Sequence, residues 1–207
     1  MSEILDLPGG VPRGPGGTGL AHGDAEGAGA PLPDLRMRPW VPTDTTDLLA
    51  AFGDPAIRHY SKTVVDTAAD ASQFVRIRAQ AWSERTGASW AITSDRGTVL
   101  GHVGIHVVDR ALDSAIIGYW LLPRARGHGV AARAVRAGTT FAFRQLMLHR
   151  IELAHAVENA ASCRVAERAG YLYEGTLRDA MRYTGERWST EHLHARLVTD
   201  IDMATDA

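Results

Sequence analysis

Leu121-Leu122-Pro123-Arg124-Ala125-Arg126-Gly127-His128-Gly129-Val130-Ala131 is the stretch around which the rest of the chain organises. An apolar strand end runs into a proline, a loop with two glycines follows, and small apolar residues then recur at helical spacing. Glycines let backbone N–H groups approach an anion with no Cβ in the way, and a helix N-terminus adds unsatisfied donors and the positive end of its dipole. Arg126 supplies a counter-charge. On these residues alone the segment is either an anion site or a plain strand-to-helix turn that needs glycine for its backbone. It is not a Walker loop, since no Gly-Lys-Ser/Thr follows, and it lacks the three-glycine spacing of the dinucleotide fingerprint.

Working outward on the C-terminal side, residues 129–147 read as a helix whose small face is Val130, Ala134, Val135, Gly138, Phe141 and Ala142. Residues 151–157 alternate as a strand. Asn159 or Ala160 opens a short helix closed by Gly170. Two last strands, 173–178 and 189–197, flank a turn at Thr184-Gly185. On the N-terminal side, residues 35–38 form a half-buried strand ending at Pro39. Thr43-Asp44 starts a helix with Leu48, Leu49 and Phe52 on one face, and Gly53-Asp54-Pro55 ends it. Asp66-Thr67 opens a longer helix carrying Ala71, Phe74, Val75, Arg78 and Trp82. Residues 89–94, 99–108 and 114–122 make an antiparallel meander. The expected class is α+β, with a strand–loop–helix crossover in the middle.

The bulk properties narrow the function classes. A chain of 207 residues accommodates one domain, expected over 34–201, with a Gly/Pro-rich extension at 1–33 and a tail at 202–207. The extension has little side chain to bury and cannot offset its own ordering entropy, so it is flexible or docked on another surface. Apolar residues at 45% and charged residues at 22% are ordinary for a soluble globular protein. A net charge of −2 argues against a DNA-binding role through phosphate neutralisation. The single cysteine, Cys163, cannot form an internal disulfide, and no Cys/His group has zinc-ligand spacing along the chain. The N-terminus lacks a secretory signal pattern, and no apolar run is long enough for a membrane span. The expectation is a cytoplasmic protein with no membrane partner, no DNA and no metal.

The loop resembles the GNAT superfamily signature Gln/Arg-x-x-Gly-x-Gly/Ala, met by Arg126-x-x-Gly129-x-Ala131 and, in a second register, by Arg124-x-x-Gly127-x-Gly129. The first places both small residues at the helix start. Flanking blocks strengthen the likeness: Gly118-Tyr119-Trp120 before it, then His149-Arg150-Ile151-Glu152-Leu153, Asn159-Ala160-Ala161-Ser162 and Ala166-Glu167-Arg168-Ala169-Gly170-Tyr171. Their order is similar to the RimJ/RimL-like branch, and the likeness covers roughly residues 35 to 200.

The resemblance implies a GNAT fold. Its central sheet is mixed, mostly antiparallel and twisted, with about seven strands, helices on both faces and a splayed parallel strand pair. It implies acetyl-CoA or another acyl-CoA as co-substrate, with its pyrophosphate on Arg126, Gly127, His128, Gly129, Val130 and Ala131. The pantetheine would lie between the splayed strands on backbone groups of Leu121 and Leu122. A backbone N–H near Trp120 and Leu121 would polarise the thioester.

Many members use a tyrosine as the acid that protonates the departing thiolate, but Ala166 stands at that position here. In the RimJ/RimL-like pattern Ser162, four residues earlier, takes the role, and Asn159 binds pantetheine or caps the helix. Some relatives carry a glutamate before Gly118-Tyr119-Trp120, where this chain has Ile116. His106 is then a candidate proton relay. A site without a strong base suits an α-amine, with a pKa of about 8, better than a lysine at about 10.4. Tyr60, Trp82, Tyr119, Tyr183 and Trp188 are candidates for the acceptor pocket. His192 and His194 alternate in the last strand and are read without a metal. The implied activity is acetyl transfer to a protein N-terminal α-amine or a small-molecule amine. The alternatives are a different acyl-CoA donor, such as succinyl-CoA, or a non-catalytic acyl-CoA sensor. A homodimer is expected because dimers are common among similar proteins.

Overall fold

A computed structural model describes residues 5–7, 34–183 and 188–200. The expected turn at Thr184-Gly185, residues 8–33 and the tail lie outside the described residues. Eight strands form one sheet: β1 (Leu5–Leu7), β2 (Leu35–Pro39), β3 (Ala88–Ser94), β4 (Val99–Asp109), β5 (Ser114–Leu121), β6 (Arg150–Ala156), β7 (Leu172–Arg182) and β8 (Trp188–Leu197). Their spatial order is β1-β2-β3-β4-β5-β6-β8-β7. Every neighbouring pair is antiparallel except β5 and β6. The sheet thus has one strand more than expected. The addition is β1, where Leu5 to Leu7 pair with Met37 to Leu35 at the edge.

Five helices connect the strands: α1 (Thr45–Phe52), α2 (Pro55–His59), α3 (Ala68–Glu84), α4 (Val130–Arg144) and α5 (Ala160–Arg168). Alternation in the strands sends side chains to two separate cores. On one face Trp90, Val103, Ile105 and Ile117 pack against Ala134, Val135 and Phe141 of α4. On the other, Ala91, Val99 and Leu122 pack against Leu48 and Phe52 of α1 and Phe74 of α3. The start of α3 is fixed by a capping box in which Thr67 Oγ1 accepts from Asp70 N–H and the Asp70 carboxylate accepts from Thr67 N–H. α4 begins one residue after Gly129 and stops at Arg144, short of the expected Met147. Met147 has φ of 56°, a left-handed conformation that cannot continue a helix. α2 was not expected. Its N-cap is Asp54, whose side chain accepts from Ile57 N–H at 2.9 Å, with Pro55 at the first helical position.

The parallel pair matters most for function. β5 and β6 are paired only from Ser114 to Ile116 on one strand and Arg150 to Glu152 on the other. Beyond that point β5 continues to Leu121 along β4, while β6 continues to Ala156 along β8. The two strands therefore part toward the loop, leaving facing backbone edges without each other as ladder partners.

Candidate active site

The loop at the mouth of this gap leaves β5 through a 3-10 turn, Pro123–Ala125, and enters α4 at Gly129. Gly127 and Gly129 have φ of 81° and 73°, where a side chain would be strained, and nothing lies within 4 Å of where their Cβ atoms would stand. The first main-chain bond of α4 runs from Arg133 N–H to Gly129 O at 3.2 Å. The N–H groups of Val130, Ala131 and Ala132 precede it and have no intrahelical acceptor. His128 Nδ1 is buried without a hydrogen-bond partner among the described residues. Open space over two left-handed glycines, aligned donors and an unpartnered ring nitrogen fit an anionic phosphate group.

Two of the expected roles at the loop need adjustment. Arg126 is held by the protein itself: Nη2 pairs with Asp54 Oδ1 at 2.7 Å and Nε donates to Leu121 O at 3.0 Å. Burial works to raise the Asp54 carboxyl pKa. The Arg126 hydrogen bond and the Ile57 N–H outweigh it and hold the group below its ordinary range. Arg126 thus ties the loop to the start of α2 as well as adding charge. The Leu122 backbone, expected to meet the pantetheine, is engaged within the protein. Its N–H donates to Leu100 O at 2.9 Å and its carbonyl accepts from Ala125 N–H at 2.9 Å, because the chain is already turning at Pro123. The Leu122 side chain is core, as are Leu121, Val130 and Ala131. The indole of Trp120 packs among Trp40, Phe52 and His102.

On the α5 side, Ser162 is buried and its Oγ accepts from the Tyr119 hydroxyl at 2.9 Å. Its N–H is capped by Asn159 Oδ1 at 3.1 Å, so Asn159 acts as the α5 N-cap. Burial raises the Tyr119 pKa to about 12 against the smaller opposing effect of the Ser162 contact, so Tyr119 is a neutral donor at pH 7. Tyr119 was expected in the acceptor pocket. Alternation along β5 turns it to the opposite face from Trp120 and onto Ser162 instead.

The face bearing α1 and α3 carries the remaining groups. His106 lies over Gly104, where any Cβ would stand 2.6 Å from its ring, and stacks on His102 at 6.0 Å between centroids. Burial, then the positive charges of Arg78 and Lys62, push the His106 pKa down to about 4. The ring is neutral at pH 7. It can pass a proton through water but is a weak base. Tyr60 and Tyr183 come together edge to face at 5.8 Å. The Tyr183 hydroxyl donates to Glu191, a carboxylate only 3% exposed. Burial first, then that carboxylate, raise the Tyr183 pKa.

Glu191 was missed by sequence reasoning. It pairs in register with Ala156 of β6. Carrying the β5–β6 register four residues past Ile116↔Glu152 sets Trp120 opposite Ala156 across the gap. Glu191 therefore stands one strand beyond the point where thioester polarisation was expected. Trp82 is not brought to this region. Its ring packs on Trp90 and Phe141, its Nε1 donates to Ser89 O at 3.0 Å, and it borders a separate cleft of about 410 Å³ with Arg38, Trp40 and Arg78. Trp188 is exposed, with Arg182 over its ring.

A second constellation was not legible in linear spacing. His155 of β6, Cys163 of α5, and His192 and His194 of β8 bring one ligand atom each to within 4.8 Å of one another. Linear spacing gave no sign of this group, because three separate elements assemble it.

With this geometry in place, the chain can be classified. Residues 34–172 match the sequence pattern of the acetyltransferase (GNAT) domain family, and the chain belongs to that family. Among curated relatives, the Bacillus subtilis protein YdaF, provisionally named a ribosomal N-acetyltransferase, is 37% identical over 43% of this chain and 49% of its own length. The chain thus spans about half of that relative. Mycobacterium smegmatis RimJ, solved with a coenzyme A disulfide, superposes with a TM-score of 0.77 at 24% identity, covering 83% of this chain and 86% of that one. RimL, the ribosomal L7/L12 alpha-N-protein acetyltransferase solved with coenzyme A, gives 0.73 at 19%, covering 81% and 96%. At these identities the structural likeness establishes a shared fold. Among the described residues no helix is long and apolar enough to cross a membrane.

Proposed function

We propose that the protein transfers an acetyl group from acetyl-CoA to a primary amine, with a protein N-terminal α-amine as the favoured acceptor. The observation that carries this reading is the gap between β5 and β6, bounded by the glycine loop at its mouth and by Ser162 on one face. The loop would hold the pyrophosphate on the N–H groups at the start of α4. The free edge of Ile117–Leu121 would receive the pantetheine amides as a neighbouring strand would. The ribosomal assignments of YdaF and RimL favour a protein N-terminus over a small amine.

In this account the amine attacks the thioester carbon directly, the C–S bond breaks and the thiolate leaves. Ser162 Oγ–H donates a hydrogen bond to that sulfur while Tyr119, neutral at pH 7, donates to Ser162 Oγ; the thiolate takes its proton from solvent on release and the amine's proton leaves to solvent from its acceptor. Glu191, one strand beyond β6 and holding the Tyr183 hydroxyl, would accept the proton released by the amine. His106 offers a weaker water-mediated route from the same face. An α-amine suits this arrangement, since about a tenth of it is already uncharged near neutral pH.

The test is calorimetric titration with coenzyme A, followed by acetyl-CoA turnover on a panel of N-terminal peptides, polyamines and aminoglycosides. Binding with turnover on peptides supports the reading. Binding without turnover on any acceptor or acyl donor points to a sensor, and absence of binding rejects the assignment of the gap.

A further inference from the structure

We propose that His155, Cys163, His192 and His194 form a metal site for a tetrahedral thiophilic cation of the zinc class, built between α5 and the β6–β8 strand pair. The four ligand atoms lie within 4.8 Å of one another. His155 Nε2 faces His194 Nε2 at 3.3 Å, and Cys163 Sγ lies 3.9 Å from His194 Nε2. With Zn–N bonds near 2.0 Å and Zn–S near 2.3 Å, tetrahedral geometry requires N···N edges of about 3.3 Å and N···S edges of about 3.6 Å. The closest pair already has that spacing. The widest closes with about an ångström of side-chain rotation.

The surroundings also suit a cation. His155 Nδ1 lies 2.9 Å from Ala156 O, a contact that sets the tautomer with its lone pair on Nε2, facing the cluster. Without an ion, the two facing nitrogens have only one proton to share, and His192 Nδ1 is buried without a hydrogen-bond partner among the described residues. The Glu167 carboxylate lies beside Cys163, whose thiol donates to it at 3.7 Å, so negative charge is already present next to the thiol. Cys163 and His192 are partly exposed, so a cation can reach the cluster from solvent. Binding converts the Cys163 thiol to a metal-bound thiolate and releases its proton to solvent, with no change of oxidation state.

Three imidazoles and one thiolate fill a tetrahedral shell, so the ion would be structural, with no position left for a reactant. Cys163 directly follows Ser162 on α5, and His155 lies on the strand that borders the gap. The ion would therefore pin the helix carrying Ser162 to the strand beside the proposed thioester site.

The experiment uses the untagged full-length chain, stripped with chelator. Cys163 is its only cysteine, so its thiol can be counted directly. Cobalt(II) titration should saturate at one equivalent, with strong visible bands of tetrahedral cobalt and a sulfur-to-metal charge-transfer band. One equivalent of zinc should suppress thiol reactivity and raise the melting temperature. Cys163→Ser should lose the charge-transfer band and His155→Gln should weaken zinc at least about 10-fold, while His59→Gln, an exposed histidine away from the cluster, should bind as wild type. Weak octahedral cobalt bands in the wild-type protein, or a thiol equally reactive with and without zinc, would overturn the proposal without reference to any variant's folding. Coenzyme A binding, measured separately, distinguishes this failure from a failure of the proposed function.

Discussion

Replacing Tyr119 with phenylalanine removes one hydroxyl and leaves the ring in place, so it isolates the contact that the structure adds to Ser162. The Tyr119 hydroxyl donates to Ser162 Oγ at 2.9 Å, and both groups are largely shielded from water. In the resting protein this is a neutral hydrogen bond, with a net contribution of about 1 kcal/mol. During thiolate departure negative charge develops next to Ser162, and hydrogen bonds to charged groups contribute about 1.5–3 kcal/mol. The gain over the resting bond is about 0.5–2 kcal/mol, so at about 1.4 kcal/mol per tenfold in rate kcat for Tyr119→Phe should fall about 2- to 30-fold. Ser162→Ala should fall at least as far, and the double variant no further than Ser162→Ala, because Tyr119 acts through the serine. The assay is steady-state turnover with coenzyme A separated by chromatography, since a thiol reagent would also modify Cys163. Calorimetry should show coenzyme A affinity within about threefold of wild type, as for an interaction that strengthens in the transition state. Both single variants retaining wild-type kcat, or losing cofactor affinity with kcat unchanged, would refute the hydrogen-bond chain from Tyr119 through Ser162.

The other groups give separable outcomes. Glu191→Gln preserves shape and the contact with Tyr183 but removes the carboxylate charge. It should lower kcat/KM by about 100-fold with coenzyme A binding intact, and unaltered kinetics would remove Glu191 from the proton path. Gly129→Val forces a branched side chain to φ near 73°, a strain of about 1–2 kcal/mol, and fills the approach to the α4 N-terminus. Coenzyme A affinity should drop more than 10-fold while Gly129→Ala loses less, which titration of both variants checks. Acid should destabilise the fold through His106. Its folded pKa of about 4 lies below its ordinary 6.5, so the unfolded chain binds the proton first. The stability present above pH 6.5 is lost as pH falls toward 4, by up to about 3 kcal/mol from this group. Urea midpoints at several pH values should show a shallower acid loss in His106→Gln than in wild type, and parallel profiles would contradict the buried neutral ring.

Much of this architecture is written in local patterns. Leu35 and Met37 alternate with Arg36 and Arg38, and the Thr67–Asp70 pair marks the start of α3. The loop was legible because glycine at positive φ and a helix start are local properties. Features that depend on distant neighbours were not. β1 contains three residues and acquires meaning only from its pairing with β2. β7 extends to Arg182, beyond the expected residue 178, because Asp179 at φ of 49° and the register break between Leu177 and Met181 interrupt its alternation. Glu191 gains its place from β8 lying between β6 and β7, which no spacing in the chain discloses. Tyr119 was a candidate for the acceptor pocket by residue type alone, and its contact with Ser162, 43 positions away, is set by tertiary folding. The cluster of His155, Cys163, His192 and His194 escaped notice for the same reason as Glu191, since its members meet only through tertiary folding.

If the gap between β5 and β6 delivers an acetyl group to an amine, the acetylated atom can be identified directly. The most direct measurement is mass spectrometry of peptides bearing free α-amines and lysines after incubation with the protein and acetyl-CoA. A single acetyl increment localised to the α-amine, and dependent on Ser162, is expected. Acetylation confined to lysine side chains would contradict the acceptor assignment, and no acetylation with no bound coenzyme A would contradict the role given to the gap itself.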